Sequence, residues 1–204
     1  PNEKRRSDPI ITGFNPADMY AVDHIRRVLA TFPGVFSGIG EFSVHKQFVS
    51  AKIAGETASL TNPALDRVLD FAGEAGLVVI LHNDIDVPFA KTDSEPAYLT
   101  QMKALLRRHA KTTIIWAHVG LGRILHPRQV SAQAAERTPT QTQIVEDILN
   151  DPAFAHVYFD ISWDEVAKYA VATPESIQAS AALLTRHPDR FLFGTDVVAP
   201  TVQR

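Results

Sequence analysis

The chain has 204 residues, 45% of them hydrophobic and 21% charged, enough apolar content for one domain with a sizeable core and too much for a disordered or coiled-coil chain. Twenty Lys and Arg against 23 Asp and Glu give a net charge of −3 with no dense basic stripe, and no apolar run approaches the roughly 20 residues that span a bilayer, so neither a nucleic acid nor a membrane is an expected partner. That charge balance leaves a small molecule as the expected partner, and with no cysteine there is no disulfide framework, thiolate nucleophile or zinc–thiolate site, so any metal must be held by His and carboxylate.

The elements alternate along the chain. A weak strand signal at residues 10–14 is followed by Asn15-Pro16, a capping side chain with Pro in the first turn, and by Val22, Ile25, Val28, Leu29 and Phe32 on one helical face. Residues 35–42 predict a strand, and Asn62-Pro63 opens a helix carrying Leu65, Val68, Leu69 and Ala72. Strand 77–82 is followed by a start signal at Ser94 and Pro96 and a helix with Leu99, Met102, Leu105 and Leu106. Strand 113–118 precedes a helix with Ile144, Val145, Ile148 and Leu149. Strand 157–162 precedes Thr173-Pro174 and a helix with Ile177, Ala181 and Leu184, and strand 191–197 comes last. The strands are nearly continuous in hydrophobicity, as parallel strands covered on both faces are.

This α/β order fits an open doubly wound sheet or a (β/α)8 TIM-type barrel. Gly38-Ile39-Gly40 is followed by Glu41-Phe42-Ser43, which is not the phosphate-binding G-x-G-x-x-G, so the expectation is an incomplete barrel of about six βα units filling residues 1–204 as one domain. In such a barrel the chemistry sits at the C-terminal ends of the strands. Five consecutive strands deliver titratable groups there: Gly40-Glu41, His82-Asn83-Asp84, His118, Asp160 and Asp196. Imidazoles and carboxylates meeting on one rim are ligands for a zinc-like divalent ion that activates water.

The runs Gly38-Ile39-Gly40-Glu41, Ile80-Leu81-His82, Trp116-Ala117-His118-Val119-Gly120, Tyr158-Phe159-Asp160-Ile161-Ser162-Trp163 and Phe193-Gly194-Thr195-Asp196 resemble the amidohydrolase superfamily, most closely the amidohydrolase-related branch that includes the aminocarboxymuconate-semialdehyde-type decarboxylases. The resemblance implies that the units present are strands 3 to 8. It makes His82 a metal ligand, His118 a second ligand or the group that orients water and polarises substrate, and Asp196 a ligand and proton shuttle. Glu41 falls where some members place a bridging ligand. The implied reaction is attack of metal-bound water on an amide, lactone or ester carbon of a small molecule, with zinc the foremost candidate metal. A non-oxidative decarboxylase of a small carboxylic acid is the alternative, and an inactive barrel or binding domain is the other. The family's first-strand His-x-His is absent from the eight histidines, and by strand count the expectation is that the first two units, and the final helix, lie outside this sequence.

Around these ligands, Asn83, Asp160, Trp163, Arg123 and His126 are candidate pocket residues, and His45 lies on a rim loop. Connections 85–94 and 121–139 are longer than usual and are expected to act as lids. His24, His109, His156 and His187 are expected at the surface, and Arg107-Arg108-His109 as a helix C-terminus complementing the dipole. The open sheet edges of a partial barrel favour self-association. The compartment stays open between the cytoplasm, taken by default, and the periplasm.

Overall fold

The computed structural model describes residues 7–46, 59–87, 95–122 and 140–196. Strands β1 (Ile10–Ile11), β2 (Gly38–Ser43), β3 (Val78–His82), β4 (Ile114–Trp116), β5 (Val157–Asp160) and β6 (Phe191–Leu192) form one sheet. Helices α1 (Ala21–Thr31), α2 (Pro63–Ala75), α3 (Leu99–Arg108) and α4 (Gln141–Asn150) join the first five, and α5 (Asp164–Ala170) with α6 (Pro174–Arg186) lie between β5 and β6.

All five strand pairs are parallel and the strand order follows the chain, β1 to β6. That order never reverses, which removes the doubly wound alternative and matches successive units of a barrel wall. Among the described residues the sheet does not close, and β1 and β6 are its edges. No described helix is long and apolar enough to cross a membrane.

Local chemistry explains the element boundaries. Asn62 caps α2 by accepting from the Ala64 N–H at 2.9 Å, Pro63 occupies the first turn, and Gly76 ends the helix in the left-handed region at φ 68°. Thr173 caps α6 in the same way. Thr140 and Gln143 form a capping box at α4, a start signal not singled out in the sequence. Asn15-Pro16 begins only a turn: Asn15 accepts from Ala17, Asp18 then accepts from Tyr20, and α1 starts at Ala21.

The core lies between the helices and the sheet. On α2, Leu65, Val68, Leu69 and Ala72 are buried, as are Leu99, Met102, Leu105 and Leu106 on α3. They face Ile39, Val79, Leu81, Ile114 and Phe159 of the strands. Each such side chain contributes roughly 1.5–3 kcal/mol through removal from water.

Several expectations are corrected. The strand expected over 113–118 stops at Trp116, because His118 and Val119 take left-handed conformations in a 3-10 turn, Ala117–Gly120. The strand at 35–42 starts at Gly38, and the last strand is two residues long. Helix α5 was not expected. His109 is buried rather than exposed: its Nε2 meets Asp66 at 2.7 Å and its Nδ1 meets Asp70 at 2.9 Å, tying the end of α3 to α2. Arg108 also donates to Asp66 at 2.9 Å, while Arg107 and Arg108 fill the last turn of α3 as the dipole reading requires. Ser94, most of both candidate lids, Arg123 and His126 lie outside the described residues.

Gly40 carries φ 121°, and a Cβ there would run into the main chain of Ile80 on β3. Only glycine lets β2 approach β3 so closely just before Glu41. Gly40→Ala is expected to destabilise by about 3 kcal/mol or more, whereas Gly13→Ala, with nothing within 4 Å of its Cβ, stays within about 1 kcal/mol; urea unfolding midpoints compare the two. Burial works against ionisation of Asp66, but its bonds to His109 and Arg108 prevail and hold its carboxyl below the ordinary range. A depressed folded value stabilises above the unfolded one and is lost on acidification through the folded value. Asp66→Asn is therefore expected to flatten the fall in melting temperature below about pH 4, and an unchanged acid limb would refute the link.

Candidate metal centre

Glu41 on β2, His82 at the end of β3 and His118 in the turn after β4 bring one ligand atom each to within 4.8 Å of one another. The apolar strands carry them there: Leu81 and Trp116 are fully buried partners across β3 and β4, so the polar groups that follow share one end of the sheet. The His82 and His118 rings stand 4.9 Å apart at 66°.

His82 is 2% exposed and lies between two carboxylates, with Nδ1 3.0 Å from Glu41 Oε1 and Nε2 2.9 Å from Asp84 Oδ1. His118 is 1% exposed, and its Nδ1 lies 3.0 Å from Ser162 Oγ. Ser162 donates its hydroxyl proton to Asp160 Oδ1 at 2.5 Å, and that oxygen also accepts the main-chain N–H of His118 at 3.2 Å and of Ser162 at 2.9 Å. The other ring nitrogen, His118 Nε2, is buried with no hydrogen bond among the described residues and lies 3.5 Å from Glu41 Oε2. Lys46 Nζ donates to Glu41 Oε1 at 3.2 Å.

Burial opposes ionisation of Glu41, yet the His118 and His82 imidazoles against its oxygens, together with the charge of Lys46, hold its carboxyl far below the usual range. Burial likewise opposes protonation of His118, and the hydrogen bonds and charges of Asp160 and Glu41 overcome it and push the imidazole up to about 9. Asp160, despite burial, is lowered by His118 and Ser162. The site thus holds anionic oxygens around two imidazoles. A buried ring nitrogen lacking a partner and facing an ionised carboxylate is a group that a divalent cation satisfies, and the Glu–His–His donors suit zinc.

The remaining sequence-derived candidates divide. Asp160 stands behind His118, and the Trp163 ring lies 5.2 Å from the His118 ring, with Trp163 itself at φ 79°. Asn83 is buried, with its amide engaged inside the loop: Nδ2 donates to the Asp84 carbonyl and Oδ1 accepts the His45 N–H. Asp196 follows β6, is exposed, and does not join the Glu41–His82–His118 group. Asp84 was not a sequence candidate and Ser162 was noted only beside Asp160. The signal for both is a polar residue two positions beyond a titratable rim residue, in His82-Asn83-Asp84 and Asp160-Ile161-Ser162. A cavity of about 290 Å³ lined by Val119, Ile161, Val166, Leu183, Phe191 and Phe193 adjoins the rim, but none of the three clustered groups lines it.

The fold is shared with solved structures of low identity. An amidohydrolase from Burkholderia multivorans with bound zinc is 16% identical, with a TM-score of 0.57 over 97% of this chain and 61% of its own. A second crystal form of a Burkholderia multivorans amidohydrolase, with bound HEPES, is 18% identical, with a TM-score of 0.54 over 93% of this chain and 59% of its own. Dihydroorotase from Campylobacter jejuni is 12% identical, with a TM-score of 0.52 over 92% of this chain and 51% of its own. This sequence therefore spans between half and two thirds of those chains. No curated protein matches it. The amidohydrolase family profile matches residues 5–204, and with that match over nearly the whole length the chain belongs to the amidohydrolase family.

Proposed function

We propose that the protein is a metal-dependent hydrolase of a small molecule, cleaving an amide, lactone or ester, with a divalent ion held by Glu41, His82 and His118. The observation that carries this reading is the buried Nε2 of His118, without a hydrogen bond among the described residues and facing ionised Glu41 beside His82. Zinc is the proposed ion, on the donor chemistry and because the similar Burkholderia multivorans amidohydrolase carries it. Such an ion supplies Lewis acidity and brings the acidity of a water close to neutral pH.

The chain's own groups do the rest. Glu41 stays anionic next to two imidazoles and balances the charge of the ion. Ser162 and Asp160 hold His118 in place from behind, and Trp163 covers one side of its ring. Asp196, exposed beyond the end of β6, is the proposed base: it takes a proton from the attacking water and returns it to the leaving group. Its freedom from the cluster leaves its carboxylate available for that transfer.

Elemental analysis of the purified protein is expected to find zinc or a similar ion in near-stoichiometric amount and to find it lost in His82→Ala. Equal metal in the two proteins, or none in either, would overturn the metal site. Asp196→Asn is expected to retain metal and to lose roughly 10²–10⁴-fold in turnover on a panel of lactones, esters and amides. Undiminished turnover removes Asp196 from the mechanism, and carbon dioxide release from carboxylic acids without hydrolysis would move the assignment to the decarboxylase class.

A further inference from the structure

We infer that the apolar cavity beside the His118 turn is a second binding site, separate from the metal centre, for an uncharged apolar molecule of the size class of indole. This goes beyond the hydrolase reading and does not depend on it. The cavity measures about 290 Å³ and lies between the sheet and helices α4, α5 and α6. Protein interiors ordinarily leave few voids larger than a water molecule, and a dry apolar cavity of about 150 Å³ already admits benzene.

Local sequence explains the space and what suits it. Helix α6 buries Leu183 alone along its length, and Ala167, Ala170 and Ser180 are the small residues that α5 and α6 contribute to the wall, where longer side chains would fill it. Val119, Ile161 and Phe191, on or just after β4, β5 and β6, build the sheet side. None of the lining residues carries a charge, so an ionic ligand would lose its hydration there without a compensating partner. Two of the polar groups on the wall are engaged with the protein itself: Gln141 Nε2 donates to the Val119 carbonyl at 2.5 Å, and the Thr142 hydroxyl lies 3.0 Å from that of Thr140. The rest is largely hydrocarbon, which selects by shape and dispersion rather than by hydrogen bonds. Phe193 and Val171 also line the cavity and are 83% and 65% exposed, so it opens to solvent past two large apolar side chains.

The position also brings an occupant close to the metal centre without entering it. Val119 follows His118 in the left-handed turn, and Ile161 separates Asp160 from Ser162, the pair that holds His118. A molecule in the cavity therefore touches both segments that position that imidazole, while Glu41, His82 and His118 themselves stay outside its walls.

The test adds indole, as the apolar probe, and benzoate, as a charged aromatic probe, to the whole chain labelled at its Ile, Leu and Val methyl groups and follows them by methyl correlation spectroscopy. Indole should shift the signals of Val119, Val145, Ile161, Val166 and Leu183 in a saturable way, and benzoate should leave them in place. Absent or non-saturating indole shifts in the wild type overturn the site, as do equal shifts with benzoate or shifts centred away from these residues. Ala170→Leu and Ser180→Leu, which extend a side chain into the space, should each abolish the indole shifts, and undiminished binding in both variants, natively folded, also overturns the site. Should neither variant fold, the wild-type maps with the two probes still decide. A natively folded His82→Ala protein should keep the indole shifts, which separates a failed metal centre from a failed cavity site. Their loss there would place indole at the metal centre and overturn a separate site.

Discussion

Two buried imidazoles beside an ionised carboxylate dominate the energetics of this sheet end. Neither ring can be left without partners at 1–2% exposure, and neither carboxylate behind them can be buried without a donor. Each group therefore requires the next, in a chain running from Asp84 through His82, Glu41 and His118 to Ser162 and Asp160. The loosest link is at His118 Nε2, which has no hydrogen bond among the described residues and meets Glu41 Oε2 at 3.5 Å, at the centre of the cluster rather than at its margin.

The backbone accepts strain to build this arrangement. His118, Val119 and Trp163 all have positive φ without being glycine, and Gly40 occupies a conformation that only glycine takes easily. Each non-glycine residue in the left-handed region costs about 1–2 kcal/mol. The three flank the His118 ring and its support, and the apolar contacts of Trp116, Phe159 and the helices over-determine their placement. Strain and buried polarity coincide at one end of the sheet, while the helix layer is held by ordinary caps and apolar faces.

The same division explains what the sequence reveals. Apolar runs and Asn-Pro or Thr-Pro starts are local signals, and the six strands with α2 and α6 stand where those signals put them. The rim positions of Glu41, His82 and His118 were legible because a parallel strand hands its last polar residue to a common edge. The turn at His118 was not, since Ala117-His118-Val119 carries no glycine or proline to mark a left-handed pair. Helix α5 escaped because it is seven residues long and begins at Trp163, which gives no side-chain cap. His109 escaped because two exposed arginines precede it, and its partners Asp66 and Asp70 lie 43 and 39 residues upstream. Asp84 and Ser162 have meaning only once the rings they support are placed.

The separation of Asp196 from the cluster follows from strand position. Glu41, His82, His118 and Asp160 sit on or directly after β2, β3, β4 and β5, each of which is hydrogen-bonded to a strand on both sides. Such strands are fixed laterally, so their ends hold side chains to the tolerance that ligation demands. Asp196 follows β6, which has β5 on one side only and pairs through two residues. Its neighbours Leu192 and Phe193 are 42% and 83% exposed, so little apolar contact restrains the segment. A residue held this loosely is poorly suited to fixing a metal by itself and well suited to a group that must move a proton in and out of the site. This contrast supports the proposed division, in which the ligands come from strands paired on both sides and the proton carrier from the segment after β6.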